Sequence, residues 1–213
     1  MRRFDWHLSR LERYLMTRSI PKTHESMEFA EKTWPVMSEL NPEVFSNNVI
    51  LPYVVGMMED FLRSTYIALL RYSEKKQSIL KNARLSGEQL TNISNGILTV
   101  EGAVAEMMSF QRLSAVARHF KELDPKIDIV GALKKPFRRR KQTLFECLDN
   151  LTTRRHALIH GMEIDISLRA KKIDALLVNV AAGAGRIYKH VTEQHGWFEK
   201  LNGFDDFSLR VRS

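Results

Sequence analysis

The chain has 213 residues, 44% of them hydrophobic, so it is long enough to bury a proper core as one domain with or without an extension. Thirty-three lysines and arginines against 25 acids leave a formal charge of +8, a balance that favours polyanionic partners and points to nucleic acid where the charge is clustered. One cysteine, Cys147, excludes an internal disulfide and fits a reducing cytoplasm; no apolar run follows the basic N-terminus, and the longest charge-free stretch, 44–58, is too short for a bilayer and contains Pro52, so neither a secretory leader nor membrane insertion is expected.

In chain order, Phe4, Leu8, Leu11 and Leu15 recur at helical steps and predict a helix over 3–16. Thr23, His24, Glu25 and Ser26 open a second segment, 23–34, which Pro35 ends. Pro42 precedes a long, nearly uncharged helix over 46–72. Shorter helices are predicted over 74–82, 86–95, 98–109 and 111–123, the last stopping before Pro125. A basic cluster follows: Lys134, Lys135, Arg138, Arg139, Arg140 and Lys141, interrupted by Pro136 and Phe137. It leads into a helix predicted over 137–160. The final helix, predicted over 166–194, carries Ile173, Leu177, Val180, Ala184, Ile187 and Val191 on one face. Gly183 and Gly185 lie in its middle; they follow no strand and lack the rest of a phosphate loop, so close helix packing is their expected use. The tail from 196 to 213 mixes Trp197, Phe198, Phe204 and Phe207 with charge, a composition suited to docking. No stretch alternates with period two, and the expected fold is all-α.

The most informative stretch is 149–161, which reads Asp-Asn-Leu-Thr-Thr-Arg-Arg-His-Ala-Leu-Ile-His-Gly. Leu144, Leu148, Leu151 and Leu158 mark one helix face. At about 100° per residue, Arg155 falls within roughly 20° of Leu148, near the centre of that face. A cation on a core-facing stripe needs an anion, a strong acceptor or a partner subunit, because an unpaired buried charge is costly. Arg154 lies at the edge of the same arc, so either arginine is a candidate. His156 and His160, four apart, share the adjacent face. Gly161 is suited to the left-handed residue after a helix end.

Arg155, four residues, then His160 resembles the Arg-x(4–6)-His motif of the higher eukaryotes and prokaryotes nucleotide-binding (HEPN) superfamily. His156 fills the polar slot after the arginine, an amphipathic helix leads in, and a glycine follows the histidine. Residues 52–72 are similar to the long first helix that packs on the motif helix in such domains. The resemblance covers about 45–195, leaving an N-terminal helical extension over 1–44 and the tail over 196–213. It implies an antiparallel helical bundle and two copies of the motif facing each other in a homodimer. Two positions depart from the pattern. His156 stands where many relatives have asparagine. Met162 stands where toxin-type relatives carry a tyrosine that an antitoxin can nucleotidylylate, so that form of control is not expected here.

The residue types suit cleavage of RNA, whose 2′-hydroxyl is its own nucleophile. Such an enzyme must deprotonate that hydroxyl, stabilise charge on the phosphoryl oxygens and protonate the leaving 5′-oxygen. Histidine suits the proton transfers and arginine the phosphoryl charge. His160 is assigned to proton transfer, Arg155 to the phosphate, and His156 to orienting the phosphate or donating the second proton. No metal and no cofactor are required. Arg154, Asp149 and Glu146 are candidates for support, the acids by orienting an arginine. Lys134, Lys135, Arg138, Arg139, Arg140 and Lys141 are candidates for contact with the RNA backbone. The resemblance implies a cytoplasmic endoribonuclease of toxin or antiphage type leaving 2′,3′-cyclic phosphate and 5′-hydroxyl ends, with an antitoxin or regulatory protein as a further partner. Two other readings stand beside it. One is a catalytically silent HEPN-like module that binds RNA or a nucleotide or assembles a complex. The other is a metal site on His156 and His160 with Glu163, Asp165 or Glu146 as third ligand, although Ala157 occupies the place of a metalloprotease glutamate.

On a regular helix, residues five apart diverge by about 140°. Arg155 and His160 of one copy therefore meet one phosphate only if the helix unwinds before Gly161. Otherwise a second copy completes the site.

Overall fold

A computed structural model describes residues 42–138, 141–161 and 163–196, together with Asp5. The architecture is an all-α helical bundle. Among the described residues there are eight helices and no strand: α1 (Pro42–Tyr72), α2 (Lys76–Asn82), α3 (Gly87–Ser94), α4 (Val100–Glu106), α5 (Leu113–Leu123), α6 (Ile129–Lys134), α7 (Leu144–Gly161) and α8 (Ala170–Gln194). The helices predicted over 3–16 and 23–34, and the tail from 197, lie outside the described residues. Among the described residues no helix is long and apolar enough to cross a membrane.

The caps explain the boundaries. Helix α1 begins at Pro42, a position where the missing N–H costs nothing. It continues through Pro52, held by the burial of Leu51, Val54 and Val55 on either side of the proline. Ser86 and Gln89 close a reciprocal capping box on α3. The short helix α6 was not anticipated; Asp128 caps it by accepting from the Gly131 N–H at 3.1 Å. Helix α7 starts at Leu144, seven residues later than 137. The Thr143 hydroxyl accepts from the Glu146 N–H at 3.2 Å, and the Glu146 carboxylate accepts in return from the Thr143 N–H at 2.8 Å. That pair sets the start, and the Thr-x-x-Glu spacing was legible in the sequence. The residues ahead of it do not extend the helix, since Arg138 sits at a φ of 54°. Helix α8 likewise starts at 170 instead of 166.

The described residues divide into two compact units, and three long helices contribute to both. The first unit holds 42–61, 149–161 and 163–180. Its core includes Val44, Leu51, Val54, Phe61, Leu151, Leu168, Ile173 and Leu177. The second unit holds 62–138, 141–148 and 181–196. Its core is built around Tyr66, whose ring meets Phe110 and Phe120 edge-on at 5.7 and 5.8 Å. In this unit Gly183 has the expected packing use. A Cβ there would come within 2.7 Å of the Leu148 Cδ1, so the missing side chain lets α7 and α8 approach.

Candidate functional site

The motif belongs to the first unit and lies on the last three turns of α7. The helix is α-helical through Gly161, and Gly161 does not have the positive φ expected of it, unlike Gly96 and Gly196. The helix therefore does not unwind between Arg155 and His160. Beyond it, the Glu163 N–H donates back to the Ala157 carbonyl at 3.3 Å.

The two arginines have different surroundings. Arg154 pairs with the Asp165 carboxylate at 3.1 Å. Asp165 is itself held in place: its N–H donates to the Asn48 side-chain oxygen at 2.9 Å, and its carbonyl accepts from the Asn48 amide at 3.0 Å. Its carboxylate also accepts from the Ser167 N–H at 2.9 Å and from the Ser167 hydroxyl. Those bonds, the hydroxyl first, hold the Asp165 carboxyl below its ordinary range. Asn47 adds a bond from its amide to the Leu168 carbonyl at 2.7 Å. Arg154 is thus one strut of a connection that ties the segment after α7 to α1.

Arg155 has no such tie. It is half-buried, and its Nε is shut from solvent without a hydrogen-bond partner. Among the described residues no carboxylate pairs with it. Half-burial with an enclosed Nε fits the helical-wheel position of Arg155, one turn after Leu151, which is 2% exposed. A buried donor left unmet costs about 1–3 kcal/mol.

His156 and His160 are both exposed, and their rings lie together with centroids 4.4 Å apart. Two imidazoles are thereby presented at one end of the helix. Among the described residues no third histidine, cysteine or acid joins them in a group that could hold a metal ion.

The candidate supporting acids are placed elsewhere. The Glu146 carboxylate is engaged in the α7 cap, and its bonds from Thr143, the backbone one first, lower its pKa. Asp149 is exposed, and its backbone carbonyl accepts from the Thr153 hydroxyl at 3.1 Å. Among the described residues neither acid forms an ion pair with Arg154 or Arg155.

The basic cluster belongs to the second unit. Lys134, Lys135, Arg138 and Lys141 are exposed; Arg139 and Arg140 lie outside the described residues. Arg186, on α8, was not singled out by the sequence, because a single arginine in an amphipathic helix carries no local signal. Its two terminal nitrogens donate to the carbonyls of Lys135 and Pro136 at 2.6 and 2.9 Å. Its guanidinium also sits over the Phe137 ring at 5.5 Å.

Comparison with protein-family profiles, with curated proteins and with solved structures found no match.

Proposed function

We propose that this chain is a metal-independent endoribonuclease of the HEPN type, acting as a homodimer with a composite cleft. The observation that carries the reading is Arg155: a half-buried arginine whose Nε has no partner among the described residues, on an unbroken helix that presents two imidazoles, one on the next residue and one five residues on. Because the helix stays regular through Gly161, Arg155 and His160 of one copy diverge by about 140°. A second copy related by a twofold axis supplies the missing half. The guanidinium of Arg155 swings onto the phosphoryl oxygens, which give its Nε the acceptor it lacks among the described residues. His160 takes the proton of the 2′-hydroxyl, the 2′-oxygen attacks phosphorus, and the bond to the 5′-oxygen breaks. His156 of the pair delivers a proton to that leaving oxygen. The products are a 2′,3′-cyclic phosphate and a 5′-hydroxyl. Released in a cell, such an activity suits a toxin or an antiphage effector restrained by a partner protein.

The test is cleavage of total RNA in EDTA by the wild type and by Arg155→Ala and His160→Ala. Cleavage by the wild type alone supports the reading, whereas RNA binding without cleavage makes the chain a silent binding module. Mixing the two inactive variants tests the composite cleft. A mixed dimer keeps one intact Arg155–His160 combination across the twofold, so random mixing restores roughly a quarter of the wild-type rate. A site contained within one copy would restore none.

A further inference from the structure

The basic cluster is not a loose charge run. Lys134 ends α6, and its ammonium lies over the Phe145 ring at 5.4 Å. Arg138 lies over the Phe137 ring at 5.3 Å while Arg186 takes the same ring at 5.5 Å. Arg186 grips the backbone on the N-terminal side of that ring through two carbonyls. Guanidinium forks of this kind fix backbone geometry as well as charge. The connection also holds Arg138 at a φ of 54°, a conformation that non-glycine residues seldom adopt. A second tie runs from the Asp128 N–H, at the start of α6, to His190 Nε2 at 2.9 Å. Helix α8 therefore anchors the connection through Arg186 and the N-terminal end of α6 through His190. Among the described residues Lys134, Lys135, Arg138 and Lys141 are exposed and make no ion pair, Lys134 acting only at longer range on the Glu146 carboxylate.

We propose that Arg186 is the positioning residue of an RNA-binding platform, in which its clamp on Lys135, Pro136 and Phe137 presents Lys134, Lys135, Arg138 and Lys141 to the phosphates of a single strand. The choice of RNA rests on the ribonuclease reading; the clamp does not. Arg186 itself is engaged inward, so its effect on binding comes through the geometry of the connection. Four phosphate contacts to a single strand give a logarithmic salt slope of about −2.8. With the clamp released, the four cations move independently and pay their own ordering entropy on binding.

The experiment measures binding of a fluorescein-labelled single-stranded RNA by anisotropy across about 50–200 mM salt, in an Arg155→Ala background so that nothing is cleaved. Arg186→Ala is expected to weaken binding about tenfold and to flatten the salt slope by about half. Lys189→Ala is the control: Lys189 is exposed one turn away on the same helix, its ammonium pairs with Glu193 at 3.8 Å, and its loss removes the same charge. That variant should change affinity less than about twofold. Arg186→Lys keeps the charge but not the fork and should behave as Arg186→Ala. Trypsin should cut faster after Arg138 in both Arg186 variants. Phe137→Leu, which removes the ring and leaves the carbonyls, provides a second route to the same loss if Arg186→Ala does not fold. Equal effects of Arg186→Ala and Lys189→Ala would overturn the proposal, as would full rescue by Arg186→Lys. Tighter binding of duplex DNA than of RNA would overturn the choice of partner. Failure of the ribonuclease reading shows up separately, as absent cleavage by the wild type while these affinities stand.

Discussion

Replacing Arg155 with methionine should make the protein more stable and inactive at once. The Arg155 Nε is buried with no partner among the described residues, which costs about 1–3 kcal/mol in a folded chain. Methionine keeps an unbranched stem of similar length beside the buried face and removes the unmet donor. Some packing from the guanidinium is lost, so a net gain of about 1 kcal/mol is expected, or a rise of about 2–4 °C in Tm for a chain of this size. Urea and thermal unfolding without RNA measure it. Cleavage should fall by about 10²–10³, the usual cost of removing one donor to a developing phosphoryl charge. Arg154→Met is the internal contrast. It breaks the pair with Asp165, whose partners are part-exposed at 38% and 26%, so it should cost up to about 1 kcal/mol and leave cleavage within a few-fold. If Arg155→Met instead loses more than about 1 kcal/mol of stability, the arginine is a structural group and the argument from its unmet donor fails. If the variant still cleaves RNA at the wild-type rate, its assignment to the phosphate fails.

Three further predictions concern residues on the long helices α7, α1 and α8. Gly161→Ala should raise stability by about 0.5–1 kcal/mol, because Gly161 is helical and the nearest atoms to a Cβ there belong to the flexible, exposed Glu163 side chain, at 3.1 Å; a loss in urea unfolding would place Gly161 in the left-handed region after all. Tyr66→Phe should be neutral or stabilising by about 1 kcal/mol, since its hydroxyl is buried with no partner among the described residues and burial first, then Glu122, pushes its pKa up to about 12; a loss of more than about 1 kcal/mol would reveal a hydrogen bond to that hydroxyl. His190 accepts from the Asp128 N–H, and burial first, then Lys135, lowers its pKa from the ordinary 6.5. The folded chain thus binds fewer protons than the unfolded one just below that value, so this contribution is complete above it and is lost as pH falls towards the folded pKa. His190→Gln, which can still accept, should flatten the melting temperature between neutral and mildly acid pH; an unchanged slope would remove His190 as the cause.

The helix content was legible because apolar spacing is a local signal. Seven of the eight described helices lie on segments predicted from it. The boundaries that moved did so where a cap outranked the spacing. The basic run before Thr143 looked like the first turns of α7, but the Thr143–Glu146 exchange satisfies the end of the helix at 144. Helix α6 escaped because six residues are too few for a period to show; only Asp128 followed three residues later by Gly131 hinted at a cap. The use of Arg186 could not be read at all, since its partners are backbone carbonyls some fifty residues away in sequence.

The motif itself was half legible. Spacing put both arginines near the buried arc and could not separate them, because the wheel gives direction and not partners. The separation comes from Asp165, which the sequence offered only as a metal ligand. Asp165 is fixed by Asn48, more than a hundred residues earlier, and by Ser167. So fixed, it takes Arg154, and among the described residues no carboxylate is left to pair with Arg155. Asn47 and Asn48 were the available clue: two adjacent amides inside an apolar helix, buried to 0% and 1% exposure, need hydrogen-bond partners, and the Val44 carbonyl of their own helix meets only part of that need. What they bond to is the segment leaving the motif. The same contacts that occupy Arg154 therefore tie the segment after α7 to α1, and under the proposed dimer the half-cleft formed by Arg155 and the His156–His160 pair would be completed by a second copy.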